Sequence, residues 1–352
     1  VTTNSDQTTT YNCSNYAQQN GGGIYNAGSL YINYKTTANI TYTGGIYYNA
    51  AATNGGGIYN APGSLCGIGS GSISYNYAQN GGGVYLAYDN EENLYSIMEM
   101  LGGNISANYA SSDGGGIYLD TSTCLFLSGQ AVIGDSSAKL AASVTTNSDQ
   151  TTTYNCSNYA QKNGGGIYSA GSLCIGYNLT ANSNSSIESS NLTGGIYYNA
   201  AATSGGGIYI NTNSTVWMNS GTICYNYSTT GEGVYLAGSL ALGGSIAITQ
   251  NDVYLNDNTP IYVCAQLTAN TTATITPSTY TSSDNNSSIT LVKGLSSEDE
   301  NSNYTLTEDD VKKIAVTPQS STSESTSPST TNYTLNLDSD NNQATLTEQN
   351  SD

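Results

Sequence analysis

The stretch "YDNEENLYSIMEM" at 88–100 gathers four carboxylates, Asp89, Glu91, Glu92 and Glu99. Two carboxylates about 6.5–9.5 Å apart are what an inverting glycosidase requires, one as general acid and one as the base that activates water. The competing reading, a solvated surface loop, is preferred; a uronate lyase would in addition want Lys or Arg beside the acids, and none stands nearby. The rest of the chain offers little to join the acids. It has no histidine, and its six cationic residues are all lysines: Lys35, Lys139, Lys162, Lys293, Lys312 and Lys313. Without imidazole there is no His-based triad, no H-E-x-x-H zinc site and no ordinary base titrating near neutrality. Without guanidinium there is no bidentate clamp for carboxylate or phosphate.

Two further motifs fail on spacing. "DSDNNQATLTEQ" at 338–349 begins like a calcium loop, but Gln343 replaces the required glycine. Glu348 also falls one position before the final acidic ligand, where Gln349 stands, so the stretch reads as a β-turn at Asp340-Asn341-Asn342. The glycine triplets are not followed by the lysine of a phosphate loop. No enzyme, cofactor or metal site is expected. With 25 acidic residues and a net charge of −19, nucleic acid and anionic membrane surfaces are poor partners. Apolar runs fall short of the ~18 residues of a spanning helix, so no membrane insertion is expected.

The residues best suited to binding are tyrosines. GGGIY occurs at 21–25, 55–59, 114–118, 164–168 and 205–209, GGGVY at 81–85, GGIYY at 44–48 and 194–198, and GEGVY at 231–235. These units supply Tyr25, Tyr47, Tyr59, Tyr85, Tyr118, Tyr168, Tyr197, Tyr209 and Tyr235, expected to form one outward ladder. Phenols flanked by Asn and Thr suit a glycan chain or another protein surface. The alternative is a self-stacked ladder worth ~0.5–1 kcal/mol per pair.

What positions them is a repeat. Successive Ile or Val markers are separated by 22, 12, 26, 33, 50, 29, 12 and 26 residues, the mark of a repeat array with variable loops. A coarser duplication overlies it: residues 1–20 return at 144–163 with one change, and 43–59 return at 193–209 with one change. Short alternating stretches such as "GSISYNY" and "GSIAI", bounded by Gly, Asn and Ser, read as strands. Three per unit fit one coil of a right-handed parallel β-helix. The glycines serve the corner, where coils approach closely and φ > 0 is needed. The Ile points inward and the Tyr outward. The step of 12 is too short for a coil and is read as a corner used twice. The step of 50 is read as two coils.

"GSISYNYAQNGGGVYL", "SGQAVIGDSSA" and "ITQNDVYLNDNTPIYV" resemble the repeats of bacterial cell-surface parallel β-helix proteins, in the style of polymorphic outer membrane proteins and spirochaete-type surface repeats. The likeness covers about residues 1–265. It implies an extracellular, surface-associated protein with an adhesive role, toward glycans or host surface components. The expected organisation is a parallel β-helix over 1–265, duplicated as 1–143 and 144–265. A small β-rich module follows over 266–352, with a Ser/Thr-rich loop at 318–332.

Three further expectations complete the reading. Val1 with no leader behind it is taken as the start of a mature or excised segment. The seven cysteines are taken as free thiols, because Cys174 in "GSLCI" exchanges with Tyr31 in "GSLYI". The chain starts in phase with its own repeat and shows no amphipathic helix to cover a coil end, so end-to-end self-association is expected. Sequons such as Asn39-Ile40-Thr41, Asn178-Leu179-Thr180 and Asn332-Tyr333-Thr334 arise easily in this composition and weigh little.

Overall fold

Each glycine triplet opens a three-residue strand that begins with the marker Ile or Val. Ile58–Asn60, Val84–Leu86, Ile117–Leu119, Ile167–Ser169 and Ile208–Ile210 lie side by side in parallel. The first and third residues point inward and the tyrosine between them outward, as strand geometry requires. The computed structural model describes residues 2–3, 9–10, 13–34, 44–137, 141–146, 152–179, 187–189, 191–281, 288–296, 303–321 and 329–349. Among these, four sheets of ten, eleven, seven and six strands wrap one axis. The chain is a parallel β-helix with one main apolar core along its axis and a small second cluster of Ala142, Tyr159 and Ala200 beside the inserted hairpin.

One coil shows the plan. Val84–Leu86 lies on the tyrosine face, Ile97–Met100 on the eleven-stranded face and Asn104–Ser106 on the seven-stranded face. Tyr109–Ala110 then forms the narrow strip that leads into the next triplet. The marker residues from Ile58 to Val253 are fully buried, so every coil adds at least one β-branched side chain to the core, worth ~2 kcal/mol of burial.

The three glycines of a triplet do different work. Gly55 adopts φ +65°, a left-handed conformation that costs other residues about 1–2 kcal/mol. A Cβ on Gly56 would lie 2.4 Å from the carbonyl oxygens of both Gly82 and Tyr77. A Cβ on Gly57 would meet the Gly83 carbonyl at 2.7 Å. The triplet is therefore a steric requirement of stacked corners.

Several expectations are corrected. GGIYY at 44–48 and 194–198 is not a second use of the triplet corner. Its strands, Gly45–Tyr47 and Gly195–Tyr197, lie on the seven-stranded face, where Ile46 and Ile196 stack with Ile73 and Ile223. The 12-residue step is thus the distance between two faces of one coil. The 50-residue step holds one coil, because Ile117 pairs directly with Ile167. The surplus is an antiparallel hairpin, Ser143–Thr146 with Thr152–Asn155, that leaves the coil and returns.

Parallel stacking continues where the glycine triplets end. Val253–Leu255 pairs with Ala273–Pro277, which pairs with Ile314–Val316. Ile261–Leu267 pairs in parallel with Thr290–Gly294. The last coil is covered by the antiparallel hairpin Tyr333–Asp338 with Gln343–Glu348 and by one helical turn, Glu308–Val311. Leu306 and Val311 are buried in the core, and Leu335, Leu337 and Leu346 pack against it. The end is covered after all. A single turn carries no 3.6-residue period, so sequence patterning could not register it.

The Ser/Thr-rich stretch is partly paired, Gln319–Ser321 with Ser329–Thr331. The sequon at 39–41, and most of the insertion at 182–190 lie outside the described residues. The seven cysteines are free thiols.

Candidate functional site

Seven of the nine expected tyrosines form one stack. Rings follow each other through Tyr25, Tyr59, Tyr85, Tyr118, Tyr168, Tyr209 and Tyr235, and Tyr254 extends the series. Centroids are 4.6 Å apart at the closest step, Tyr118 to Tyr168, and 5.6 Å at the widest, Tyr59 to Tyr85. These distances match the coil spacing, so each ring lies over its neighbour. Tyr254 was missed because "NDVYL" lacks the glycines that marked the others.

Tyr47 and Tyr197 do not belong to this stack. Both lie on the seven-stranded face, where Tyr197 donates from its hydroxyl to the Gly194 carbonyl at 3.1 Å. Their motif resembles the triplet motif, but one glycine fewer places the strand at another corner.

Stacking consumes what a ligand would use. A ring with a neighbour on each face offers solvent only its edge and hydroxyl. Tyr85, the most enclosed, is 9% exposed and donates to Asp120 at 3.1 Å. Burial raises the Tyr168 phenol to about 12, with Asp113, Tyr209 and Asp120 adding to the shift. Burial likewise raises Tyr85 and Tyr118, and the Asp120 charge adds in both. These phenols stay protonated at neutral pH and serve as donors and packing surface.

The acidic cluster is dispersed. Asp89 caps its own turn, accepting from the backbone N–H groups of Glu91 at 2.8 Å and Glu92 at 3.2 Å. That turn is the exposed tip of a small antiparallel hairpin, Tyr88–Asp89 with Leu94–Tyr95. Glu99 is buried in the eleven-stranded face, where the Tyr34 hydroxyl donates to it. Asp338 closes a turn, accepting from the Asn341 side chain at 2.8 Å and the Gln343 side chain at 3.2 Å.

Sequence reasoning missed a second ladder, made of asparagine, exposed at Asn15 and buried from Asn49 to Asn251. Asn15, Asn49, Asn76, Asn108, Asn158, Asn199, Asn226 and Asn251 stand one per coil, each side-chain amide donating to the next side-chain carbonyl at 2.7–3.0 Å. From Asn76 to Asn226 the same amides also reach an isoleucine carbonyl, Ile73 for Asn108 and Ile105 for Asn158. This answers the polar cost of a buried corner. The signal was an Asn after Tyr or Ser before the narrow strip, hidden by irregular spacing and by Ala107 and Gln250 standing in that place before Asn108 and Asn251. No family model, curated protein or solved structure matches this chain.

Proposed function

We propose that this chain is an extracellular structural protein, a stiff rod that presents surfaces for adhesion and joins other copies end to end. The observation that carries this reading is the continuity of its two ladders. Eight stacked phenols run along the outside and seven buried, linked amides inside, one of each per coil over most of the length. A rod braced on both sides resists bending, which a scaffold needs and a catalytic cleft does not. A composition rich in Asn, Ser, Thr, Gly and Tyr, with few cations, supports an exported protein.

The apolar end of the last coil is capped, so end-to-end joining draws on the strand edge that the capping hairpin itself leaves open. Among the described strands, Ser29–Ile32 begins the eleven-stranded face and Tyr333–Asp338 ends it. Edge strands offer backbone groups to a partner strand. A contact between the two ends of different copies is heterologous and propagates as a fibre. Electron microscopy of the purified chain at rising concentration tests this. Fibres whose axial repeat is near one subunit length are expected, and isolated rods at every concentration would overturn it.

A second reading, polysaccharide binding, draws on a different tyrosine cluster from the stacked ladder.

A further inference from the structure

The corner before the narrow strip places one residue per coil in a column: Tyr48, Tyr75, Ala107, Ser157, Tyr198 and Tyr225. The asparagine that follows each of them holds the register. Tyr48 and Tyr75 stack at 4.9 Å with planes 11° apart. The other face of Tyr75 looks along the column toward Ala107, which has no ring to offer. Beyond Ala107, its N–H donates to the Ser157 hydroxyl at 3.3 Å. The column then resumes at Tyr198, whose hydroxyl donates to Asn155 of the inserted hairpin at 2.5 Å.

This interruption opens a groove of about 680 Å³. Tyr48 and Tyr75 form one wall, Tyr77 and Tyr109 another, and Tyr154 of the hairpin stands across them with Ser111 and Gln161 at hand. Tyr77 and Tyr109 are themselves stacked at 5.4 Å. None of the described residues that line it is charged.

Tyr198 packs against the buried Ala142, Tyr159 and Ala200, whereas Tyr48 and Tyr75 touch no such cluster. Tyr48, Tyr75, Tyr198 and Tyr225 hold φ between +57° and +60°, a conformation bulky side chains rarely accept. Ala107 meets the same corner at φ +55°, so no aromatic ring is required there. Tyr48 and Tyr75 are also more than half exposed. Strained, exposed aromatics that packing does not demand point to a ligand.

We propose that this groove binds a neutral, equatorially linked glycan, with one pyranose laid on the open face of Tyr75 in the place where the next ring of the column would stand. Ala107 and Ser157 both lack a ring, so the open face of Tyr75 has more than one coil spacing of free depth, enough for a pyranose chair laid flat on it. Axial C–H groups of an equatorially substituted hexose meet the electron-rich phenol face, and ring hydroxyls meet Gln161, Ser111 and the tyrosine hydroxyls. An uncharged lining selects against uronates and cationic sugars. The site deepens the polysaccharide-binding reading and does not depend on end-to-end assembly.

Titration calorimetry of the full chain with cellotetraose tests the proposal. Binding with Kd on the order of 1 mM or tighter is expected. Tyr75→Asn removes the ring and suits φ > 0, so it is expected to weaken binding at least about tenfold with no loss of thermal stability. Ala107→Tyr extends the column by one ring and covers the open face of Tyr75, with the same expected loss. Tyr209→Ser, in the self-stacked ladder, leaves Kd unchanged. Three results would overturn the proposal: no cellotetraose uptake up to about 10 mM, binding that survives both groove substitutions, or loss on Tyr209→Ser alone. Any of these leaves the structural rod reading intact, since that is decided by microscopy.

Discussion

The Asn108 side-chain amide donates to the Asn158 side-chain carbonyl at 3.0 Å, although 50 residues separate them. The backbone N–H of Asn108 meets the same oxygen at 3.1 Å. The whole inserted hairpin lies between the two, yet the ladder is closed beneath it. Asn158→Leu strands both donors in a fully buried corner. A loss of about 3 kcal/mol is expected, since each unsatisfied buried group costs ~1–3 kcal/mol. Denaturant unfolding checks it, and a midpoint within error of the parent chain would refute a load on this rung.

The stacked tyrosines make a graded prediction. Tyr209→Ser removes a ring that lies between two others, at 5.1 Å from Tyr168 and 4.9 Å from Tyr235, and should cost ~1–2 kcal/mol. Tyr85→Ser also abandons Asp120 and leaves a buried gap, so ~3–5 kcal/mol is expected. Equal midpoints for the two variants would show that burial does not set the contribution of a rung.

How much of this was legible in the sequence depends on which residues carried a unique pattern. The marker isoleucines did, because a glycine triplet before an apolar–Tyr pair recurs against a polar background. That sufficed for the coil and for seven of the nine tyrosines. Tyr47 and Tyr197 were misplaced because a shortened triplet serves a different corner with the same local sequence. The inserted hairpin passed for a coil because antiparallel and parallel strands share period-2 alternation. Asn108 and its partners stayed hidden because their order comes from coil closure, whose loops vary in length. Tyr75 went unremarked because nothing local announces that its neighbour in space is Ala107.

Glycines separate by position. A Cβ on Gly56 would lie 2.4 Å from two carbonyl oxygens, whereas one on Gly28 meets nothing within 4 Å. Gly56→Ala should lower stability by more than about 3 kcal/mol, and Gly28→Ala should stay within ~0.5 kcal/mol. Thermal melts followed by circular dichroism distinguish them. Similar losses at both sites would contradict the steric account of the triplet.

Alkali should unfold the rod. Burial holds the thiols of Cys66 and Cys156 up to about 12, Cys224 to about 11 and the Tyr168 phenol to about 12. The unfolded chain releases these protons near ~8.5 for Cys and ~10 for Tyr. Their contribution to stability is therefore complete below those values and is lost as pH rises toward 11–12. The melting temperature is expected to fall steeply above about pH 9. The fraction of tyrosinate absorbance owed to the buried phenols should appear only with unfolding, and ionisation of every tyrosine while the fold persists would refute this coupling.

The cap at the last coil depends on one carboxylate. Asp310 is fully buried and accepts from the Leu267 N–H at 2.9 Å, the Tyr304 hydroxyl at 2.8 Å, and the Thr307 N–H at 3.1 Å and hydroxyl at 2.5 Å. Burial alone would raise its pKa, but these donors outweigh it and hold the group below the usual carboxylate value. Its contribution is present above about pH 4 and lost as pH falls through the lowered folded value. Asp310→Asn turns amide hydrogens toward donors and should cost ~2–3 kcal/mol. Coils of a solenoid contact mainly their neighbours, so the damage should be local. Hydrogen exchange would show faster turnover at Leu267 and Thr307 with Ile117–Leu119 unchanged. Protection lost evenly along the rod would mean instead that the cap governs the whole stack.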